Sequence, residues 1–243
     1  MLKVGLLGYG RTGKVVAEYL EKQKNVAFKF IVKNNPYRHP NLNIYTHFDL
    51  GDAIEQHRPD VMIDFTTKDA TIANLAVLSE VEYKKGIVIA TTGFNDEELE
   101  MLKAYRKKFS IIWTPNISSG INLLIRAAMI ISEVWTDADV HIIEEHFKQK
   151  KDVSGTALQI RDRLKRGEIV SIRSGGTVGI HKVIFGRENQ KIEIMHQSNS
   201  RYVFAAGALR VARWLNTVKR DFYRMEDYID SQLSTHHGGM SED

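Results

Sequence analysis

The feature that most constrains this chain lies at its very start. An apolar run, Lys3–Leu7, leads directly into Gly8-Tyr9-Gly10-Arg11-Thr12-Gly13, and Gly13–Lys22 then carries a helical pattern. In this G-x-G-x-x-G, Gly8 allows a tight turn, Gly10 admits a close-lying pyrophosphate, and Gly13 lets the helix pack against the strand. The helix N-terminus turns its N–H groups and its dipole toward an anion. A glycine turn also occurs as plain structure; the strand before it and the helix after it are what favour a dinucleotide.

The pattern that follows extends this reading. Val26–Val32, Val61–Phe65, Ile87–Thr91 and Ser110–Thr114 read as strands. Leu50–His57, Ala70–Tyr83 and Asp96–Lys108 read as helices, the last opened by a capping box of Asn95 with Glu98. Such alternation implies an α/β fold with a Rossmann-type, doubly wound parallel sheet, expected over residues 1–115. The texture changes after Pro115. Ser119–Trp135 reads as a long helix, and Asp139–Phe147, Ile169–Arg173, His181–Phe185 and Lys191–His196 read as strands with little helix between them. This predicts a second, α+β domain over 116–202. Phe204, Ala208, Leu209, Ala212 and Leu215 form one stripe of a further helix, and the polar stretch 234–243 is expected to be a disordered tail.

The chain has 243 residues and no cysteine. Disulfides, thiolate metal sites and cysteine nucleophiles are therefore excluded, which fits a reducing cytoplasm. The N-terminus does not read as a signal peptide, and no run approaches the roughly 18 apolar residues of a membrane span. A formal charge of +4 suits anionic ligands. No motif for nucleic acid accompanies it. After the second strand, Ile31-Val32-Lys33-Asn34-Asn35 lacks the acid that usually binds a ribose 2′-OH, and Lys33 stands about where that acid would be. A cation there attracts a 2′-phosphate; equally, a lysine at a strand end is an ordinary solvated charge. Arg11, inside the glycine turn, adds a second positive charge.

Further motifs line up in order. Asp64-Phe65-Thr66, Ala90-Thr91-Thr92-Gly93 and Pro115-Asn116-Ile117-Ser118-Ser119-Gly120 end successive strands, where open α/β sheets bind ligands. Glu145-His146-Phe147-Lys148-Gln149-Lys150 and Ser154-Gly155-Thr156-Ala157-Leu158 follow. Then come Ser171-Ile172-Arg173, Gly179 with His181, Ser200-Arg201, Phe204-Ala205 and Gly207-Ala208. From about residue 3 to residue 223 this series resembles the dihydrodipicolinate reductase family.

The resemblance implies an NAD(P)H-dependent oxidoreductase of lysine and diaminopimelate biosynthesis, reducing dihydrodipicolinate (4-hydroxy-tetrahydrodipicolinate) to tetrahydrodipicolinate. It implies a dinucleotide domain completed by a C-terminal helix of about 203–233, and a middle segment that forms a mixed sheet, binds substrate and builds a homotetramer. The cofactor, NADPH or NADH, would be held by Gly8, Tyr9, Gly10, Arg11, Thr12, Gly13, Lys33, Thr91, Thr92, Gly93, Pro115, Asn116 and Ile117. The catalytic pair falls on His146 and Lys150, and substrate-binding positions on Ser154, Gly155, Thr156 and Arg201. Such a reduction needs a hydride donor, a proton donor and cations for the carboxylates. If Asp139–Phe147 is a strand, Glu144 shares the face of His146 and is placed to orient it; the alternative is an ordinary surface acid.

Four departures bear on the substrate. The family's paired histidines are His146-Phe147 here, and Asp152-Val153 runs into Ser154 without the usual proline. Gly179-Ile180-His181 replaces G-E-H, and the stretch before Ser171 is short. A related reductase acting on another small anionic imine or enamine stays open. No metal site is expected, because His141 and His146 fall on opposite strand faces. His39, His47 and His57 are given no role. His181 and His196 are expected to pair within the sheet or face its interface. Lys148 and Lys151 are expected in a solvated loop, and Arg161, Arg163, Lys165 and Arg166 at a solvated helix end. Trp113, Trp135 and Trp214 read as packing residues. Ile142, Ile172, Val183, Phe185, Ile192 and Ile194 are expected on more than one face of the mixed sheet, which predicts a homo-oligomer.

Overall fold

Short runs of Val, Ile and Phe, each followed by an amphipathic helix, build the first part of the chain. A computed structural model describes residues 1–35, 39 and 41–237. The elements up to Ile117 are β1 (Leu2–Leu7), α1 (Arg11–Glu21), β2 (Val26–Val32), β3 (Asn43–Tyr45), α2 (Leu50–His57), β4 (Val61–Asp64), α3 (Lys68–Glu80), β5 (Gly86–Ile89), α4 (Asp96–Ala104) and β6 (Ser110–Trp113). A 3-10 turn, Tyr105–Lys107, ends the stretch expected as one helix to Lys108. The capping box at α4 forms: the Asn95 side chain accepts from the Glu98 N–H at 2.8 Å, and the Glu98 carboxylate accepts from the Asn95 N–H at 2.8 Å.

Residues Ser118–Val203 make a separate compact unit. It contains α5 (Ser119–Val134), β7 (Asp139–His146), α6 (Gly155–Leu164), β8 (Glu168–Arg173), β9 (Gly179–Arg187) and β10 (Gln190–Ser198). The sheet order is β10-β9-β7-β8, with β7–β8 parallel and the other pairs antiparallel. Strand alternation puts Val140, Ile142, Val183 and Phe185 on one face, in a core with Ile121, Ile125 and Ala128 of α5 and Ala157 and Ile160 of α6. Ile192 and Ile194 pack against the same core. Of the apolar positions expected on both faces, only Ile172 lies on the other. That face instead carries Val170 and Met195, which with Ile172 are exposed. Arg166 is no solvated helix end. It donates to the carbonyls of Trp135 (2.6 Å), Thr136 (2.6 Å), Ala138 (3.2 Å) and Ser132 (3.3 Å). It thereby satisfies carbonyls that the end of α5 leaves without partners.

The chain then returns to the first unit, which comprises Met1–Ile117 and Phe204–Asp243. The expected single C-terminal helix is two helices, α7 (Tyr202–Leu215) and α8 (Met225–His237), parted by β11 (Phe222–Tyr223). Thr217 ends α7 by donating its N–H and its hydroxyl to Trp214 O, each at 2.8 Å. Phe222 and Tyr223 then pair in parallel with Ile111 and Ile112. α8 runs to His237, into the stretch expected to be disordered; residues 238–243 lie outside the described residues.

The first unit's sheet has seven parallel strands in the order β11-β6-β5-β4-β1-β2-β3. Residues of alternate parity point to opposite sides. Val4, Leu6, Val61, Ile63, Val88 and Ile112 meet α1, α7 and α8, while Leu7, Met62, Ile87, Ile89 and Ile111 meet α2, α3 and α4. Each such buried aliphatic side chain contributes roughly 1.5–3 kcal/mol. The sheet is thus covered on both sides, and the carboxyl ends of its strands are the edge left for ligands.

Candidate functional site

In the first unit the chain order reverses between β1 and β4, and the glycine turn stands there. Gly8 has φ +93°, and a Cβ on it would lie 2.6 Å from Phe65 O; a Cβ on Gly13 would lie 2.3 Å from Gly8 O. Both positions therefore require glycine. Gly10 is different: a Cβ there meets nothing within 4 Å, so this backbone is open to a ligand. Gly10 is the N-cap of α1, with no side-chain cap and no acid in the first turn. A phosphate suits such an end. Beside it lies a cavity of about 780 Å³, lined by Gly8, Tyr9, Gly10, Val32, Lys33, Asn34, Asn35, His47, Phe48, Phe65, Thr66, Thr67, Ala70, Ala73 and Asn74. These residues fit a dinucleotide: an open backbone turn at a helix N-terminus for the phosphates, a lysine at the end of β2, and an aromatic ring for a base. Phe48 is 94% exposed at this cavity, and the His47 ring is held by Asn74 Oδ1 at 2.9 Å.

Other expected cofactor residues stand on the same carboxyl edge but outside that cavity lining: Arg11, Thr12, Gly13, Thr91, Thr92, Gly93, Pro115, Asn116 and Ile117. Thr92 and Gly93 are exposed, Asn116 is half-buried, and Ile117 is part of the hydrophobic core. Thr91 is buried, its carbonyl accepting from Trp113 Nε1 at 2.9 Å. Asp64 ties the ends of β4 and β5 together. Its Oδ1 accepts from Thr66 N (2.7 Å), Thr66 Oγ1 (2.6 Å) and Thr91 Oγ1 (3.4 Å), while Oδ2 is buried with no hydrogen-bond partner among the described residues. Burial pushes its pKa up, against the pull of those hydrogen bonds. His47, Phe48 and Asn74 were not marked in the sequence. His47 and Phe48 lie between β3 and α2, and Asn74 lies inside α3, with no local motif to single them out.

In the second unit the chemistry gathers around a buried carboxylate. Glu144 is fully buried near the end of β7. Its Oε1 accepts from Arg173 Nη2 (2.6 Å), Ser171 Oγ (2.7 Å) and Ser154 N (3.3 Å), and its Oε2 is hydrogen-bonded to His146 Nδ1. Burial works against the ionised form, but these partners outweigh it and hold the pKa down to about 2. An ionised carboxylate only accepts, so His146 Nδ1 carries the proton and Nε2 is the free face of the ring. Nε2 lies beside Gly179, where a Cβ would approach it to 3.1 Å. His181 is the cross-strand neighbour of both Glu144 and His196, and its ring meets His146 edge-on at 5.3 Å.

Ser154, one of the expected substrate residues, is buried. Its hydroxyl accepts from Ala157 N at 3.3 Å as the cap of α6 and pairs with His181 Nε2 at 2.8 Å. Gly155 opens α6, and a Cβ on it would meet nothing within 4 Å. Lys150 is half-buried in the loop before α6, near enough that its charge helps lower the His181 pKa. Thus His146, Lys150, Ser154, Gly155 and Thr156 belong to one small region. Arg201 is exposed in the turn before α7, and its side chain makes no hydrogen bond or ion pair among the described residues. Ile180 lies on the opposite face of the sheet, across from Glu145. Of the departures, Phe147 and Asp152-Val153 adjoin the acid site, the latter leading into Ser154 with Asp152 O accepting from Arg173 Nη2 at 2.9 Å.

The known proteins that this chain resembles agree with one another. Residues 2–117 match the family described as Dihydrodipicolinate reductase, N-terminus, and residues 120–229 match Dihydrodipicolinate reductase, C-terminus. The 4-hydroxy-tetrahydrodipicolinate reductase of Thermosipho africanus is 34% identical over 231 residues, covering 94% of this chain and 98% of that protein. That of Buchnera aphidicola subsp. Schizaphis graminum is 32% identical over 264 residues, covering 92% and 95%. Among solved structures, dipicolinate-bound dihydrodipicolinate reductase from Paenisporosarcina sp. TG-14 superposes with a TM-score of 0.79 at 22% identity, over 92% of this chain and 97% of that one. C. glutamicum DAP dehydrogenase in complex with DAP superposes with a TM-score of 0.56 at 12% identity, over 92% of each. At these identities the two structures speak to the fold.

The buried histidine gives a pH prediction. Burial foremost, with the charge of His146 next, pushes the His181 pKa down to about 4 from an ordinary 6.5. Between these values the unfolded chain binds a proton that the fold refuses, so stability falls as pH drops through this window. The loss is on the order of 3 kcal/mol. Glu144 contributes stability above the ordinary carboxylate range that is lost only as pH falls toward about 2. In urea unfolding, His181→Gln is expected to flatten the decline between pH 6.5 and 4 and to leave the decline below it. An unchanged slope in the upper window contradicts this assignment.

Proposed function

The chain belongs to the dihydrodipicolinate reductase family and is an oxidoreductase, and from that premise we propose that it reduces 4-hydroxy-tetrahydrodipicolinate to tetrahydrodipicolinate with NADPH. Its cofactor class is the pyridine nucleotides. The single observation that carries the assignment to residues is the ionised, buried Glu144 at Nδ1 of His146, with Lys150 and the α6 N-terminus in the same region.

Once the 4-hydroxyl and a neighbouring proton have left as water, giving the unsaturated dihydrodipicolinate ring, the reaction places a hydride on one carbon of the unsaturated bond and a proton on its neighbour. When bound, the nucleotide supplies the hydride. The open turn at Gly10 and the α1 N-terminus would hold its phosphates, and Lys33 would supply a positive charge for a 2′-phosphate. In the second unit, Gly155 and Thr156 at the α6 N-terminus receive one substrate carboxylate, and Lys150 adds a positive charge for it. Arg201, exposed at the end of this unit, is assigned to the second carboxylate. His146 donates the proton from Nε2 while Nδ1 keeps its own proton against Glu144. The carboxylate thus fixes the ring and balances the imidazolium before transfer.

Phe147 favours one second reading. It stands where the family has another histidine, and its side chain has no hydrogen bond to offer; on this reading the chain is a reductase of a related small anionic imine or enamine. Turnover of each substrate by the wild type and by Phe147→His separates the two. We further assign the exposed face of the mixed sheet, with Val170, Ile172 and Met195, to contacts between copies in a homotetramer, and the protein to the cytoplasm. None of the described helices is long and apolar enough to cross a membrane.

Three outcomes follow. His146→Gln is expected to lower kcat on the substrate by about 10²–10⁴ with NADPH affinity nearly unchanged, since the glycine turn is in the other unit; wild-type kcat in that variant rejects His146 as the donor. Lys33→Glu is expected to move preference from NADPH toward NADH in titrations of both cofactors; a wild type strongly selective for NADH contradicts the role of Lys33. Light scattering at micromolar concentration is expected to give the mass of four copies, reduced by Ile172→Asp; a wild-type monomer contradicts the assembly.

A further inference from the structure

Arg173 ends β8 directly beside His146 in the parallel register of β7 and β8. Its guanidinium spends its donors on groups from separate parts of the unit. Nη2 donates to Glu144 Oε1 at 2.6 Å and to Asp152 O at 2.9 Å, Nε to Lys150 O at 2.9 Å, and Nη1 to Ile172 O at 2.8 Å. One planar group therefore touches the carboxylate that orients His146 and two carbonyls of the loop that carries Lys150. That loop, between β7 and α6, has little else to fix it. Its backbone contacts are Lys150 N to Phe147 O at 3.1 Å and Lys148 N to Gly175 O at 3.1 Å. The Arg173 side chain is 19% exposed and Glu144 is not exposed at all, so the pair is poorly screened.

We infer that Arg173 is a positioning residue that couples the two halves of the acid site: through Glu144 it sets the imidazole of His146, and through the carbonyls of Lys150 and Asp152 it sets the ammonium of Lys150. This rests on the reading of His146 and Lys150 given above. Lysine cannot replace it in full, because an ammonium has the charge but not the fork needed to reach Glu144 and both carbonyls together. The neighbours that share the field of Glu144 are His146 on its own strand, Ser171 and Arg173 on β8, His181 on β9 with His196 of β10 behind it, Ser154 at the start of α6, and Lys150 in the loop. Removing the Arg173 charge leaves Ser171, Ser154 and His146 as the partners of Glu144 among the described residues, and its protonation moves up toward the ordinary carboxylate range.

Three variants divide these effects: Arg173→Lys, Arg173→Met and Ser171→Ala. With the natural substrate, Arg173→Lys is expected to raise KM about tenfold and to keep most of kcat, since Glu144 keeps a counter-charge while the loop loses its anchors. Arg173→Met is expected to lose kcat at least tenfold as well, and to bring a new acid limb into the pH profile of kcat between pH 4 and 6, absent from wild type. Ser171→Ala, which removes one hydrogen bond to Glu144 but no charge and no contact of the loop, is expected to shift the acid limb less than Arg173→Met does and to leave the exchange of residues 147–153 at the wild-type rate. Hydrogen exchange of residues 147–153, which needs no substrate, is expected to quicken about tenfold in both Arg173 variants, with NADPH affinity unchanged. Unaltered exchange of that loop overturns the clamp, and an unaltered pH profile in a folded Arg173→Met overturns the link to His146. If wild type reduces no 4-hydroxy-tetrahydrodipicolinate, the function above fails, and the exchange measurement still decides the clamp.

Discussion

The arrangement in the second unit depends on one buried charge. A carboxylate without solvent must be matched by donors or give up its ionisation. Glu144 is matched: Arg173, Ser171, the Ser154 N–H and His146 converge on its two oxygens. These partners come from β7, β8 and the start of α6, so satisfying Glu144 also draws those elements together. The proton on His146 Nδ1, the capped start of α6 and the path of the loop with Lys150 all follow from where this carboxylate lies. Breaking such a pair by removing one partner typically costs about 3–5 kcal/mol, because it strands the other charge.

The first unit rests on a different constraint. At the reversal between β1 and β4 the backbones of Gly8, Gly13 and Phe65 come so close that no Cβ fits at either glycine. Close packing there leaves the Gly10 backbone and the uncapped α1 N-terminus open. Acids are absent from the first turn of α1, and Lys33 stands at the end of β2. The unit thus offers positive potential at an open helix N-terminus, which suits phosphates, and the second unit offers it at Lys150 and the start of α6, which suits a carboxylate.

Much of this was legible in the sequence, for identifiable reasons. Strands and helices of the first half have strong periodicity, and Asn95 with Glu98 announced a cap that forms. The face shared by Glu144 and His146 followed from strand parity alone. What was missed depended on contacts distant in sequence. Nothing near Arg166 shows that it reaches the end of α5, and nothing near Arg173 shows that it spans Glu144 and the loop. Phe222-Tyr223 is too short to read as a strand without its partner, Ile111-Ile112. The apolar residues of the mixed sheet were visible, but their division between faces depended on register: Ile142, Val183 and Phe185 share the helix-covered side, and Val170 and Met195 escaped notice on the other.

The central claim is that an ionised Glu144 holds the proton of His146 on Nδ1 and leaves Nε2 for the substrate. Nitrogen-15 NMR of histidine-labelled protein, with His146 assigned by comparison with His146→Gln, reads this tautomer directly. The account predicts, for the neutral ring, a protonated Nδ1 with a strongly hydrogen-bonded proton and an unprotonated Nε2. It further predicts that Glu144→Gln disturbs this state. A neutral His146 protonated on Nε2 in the wild type would contradict it, because Glu144 would then have to be the proton donor, and the charge on which the site depends would be gone.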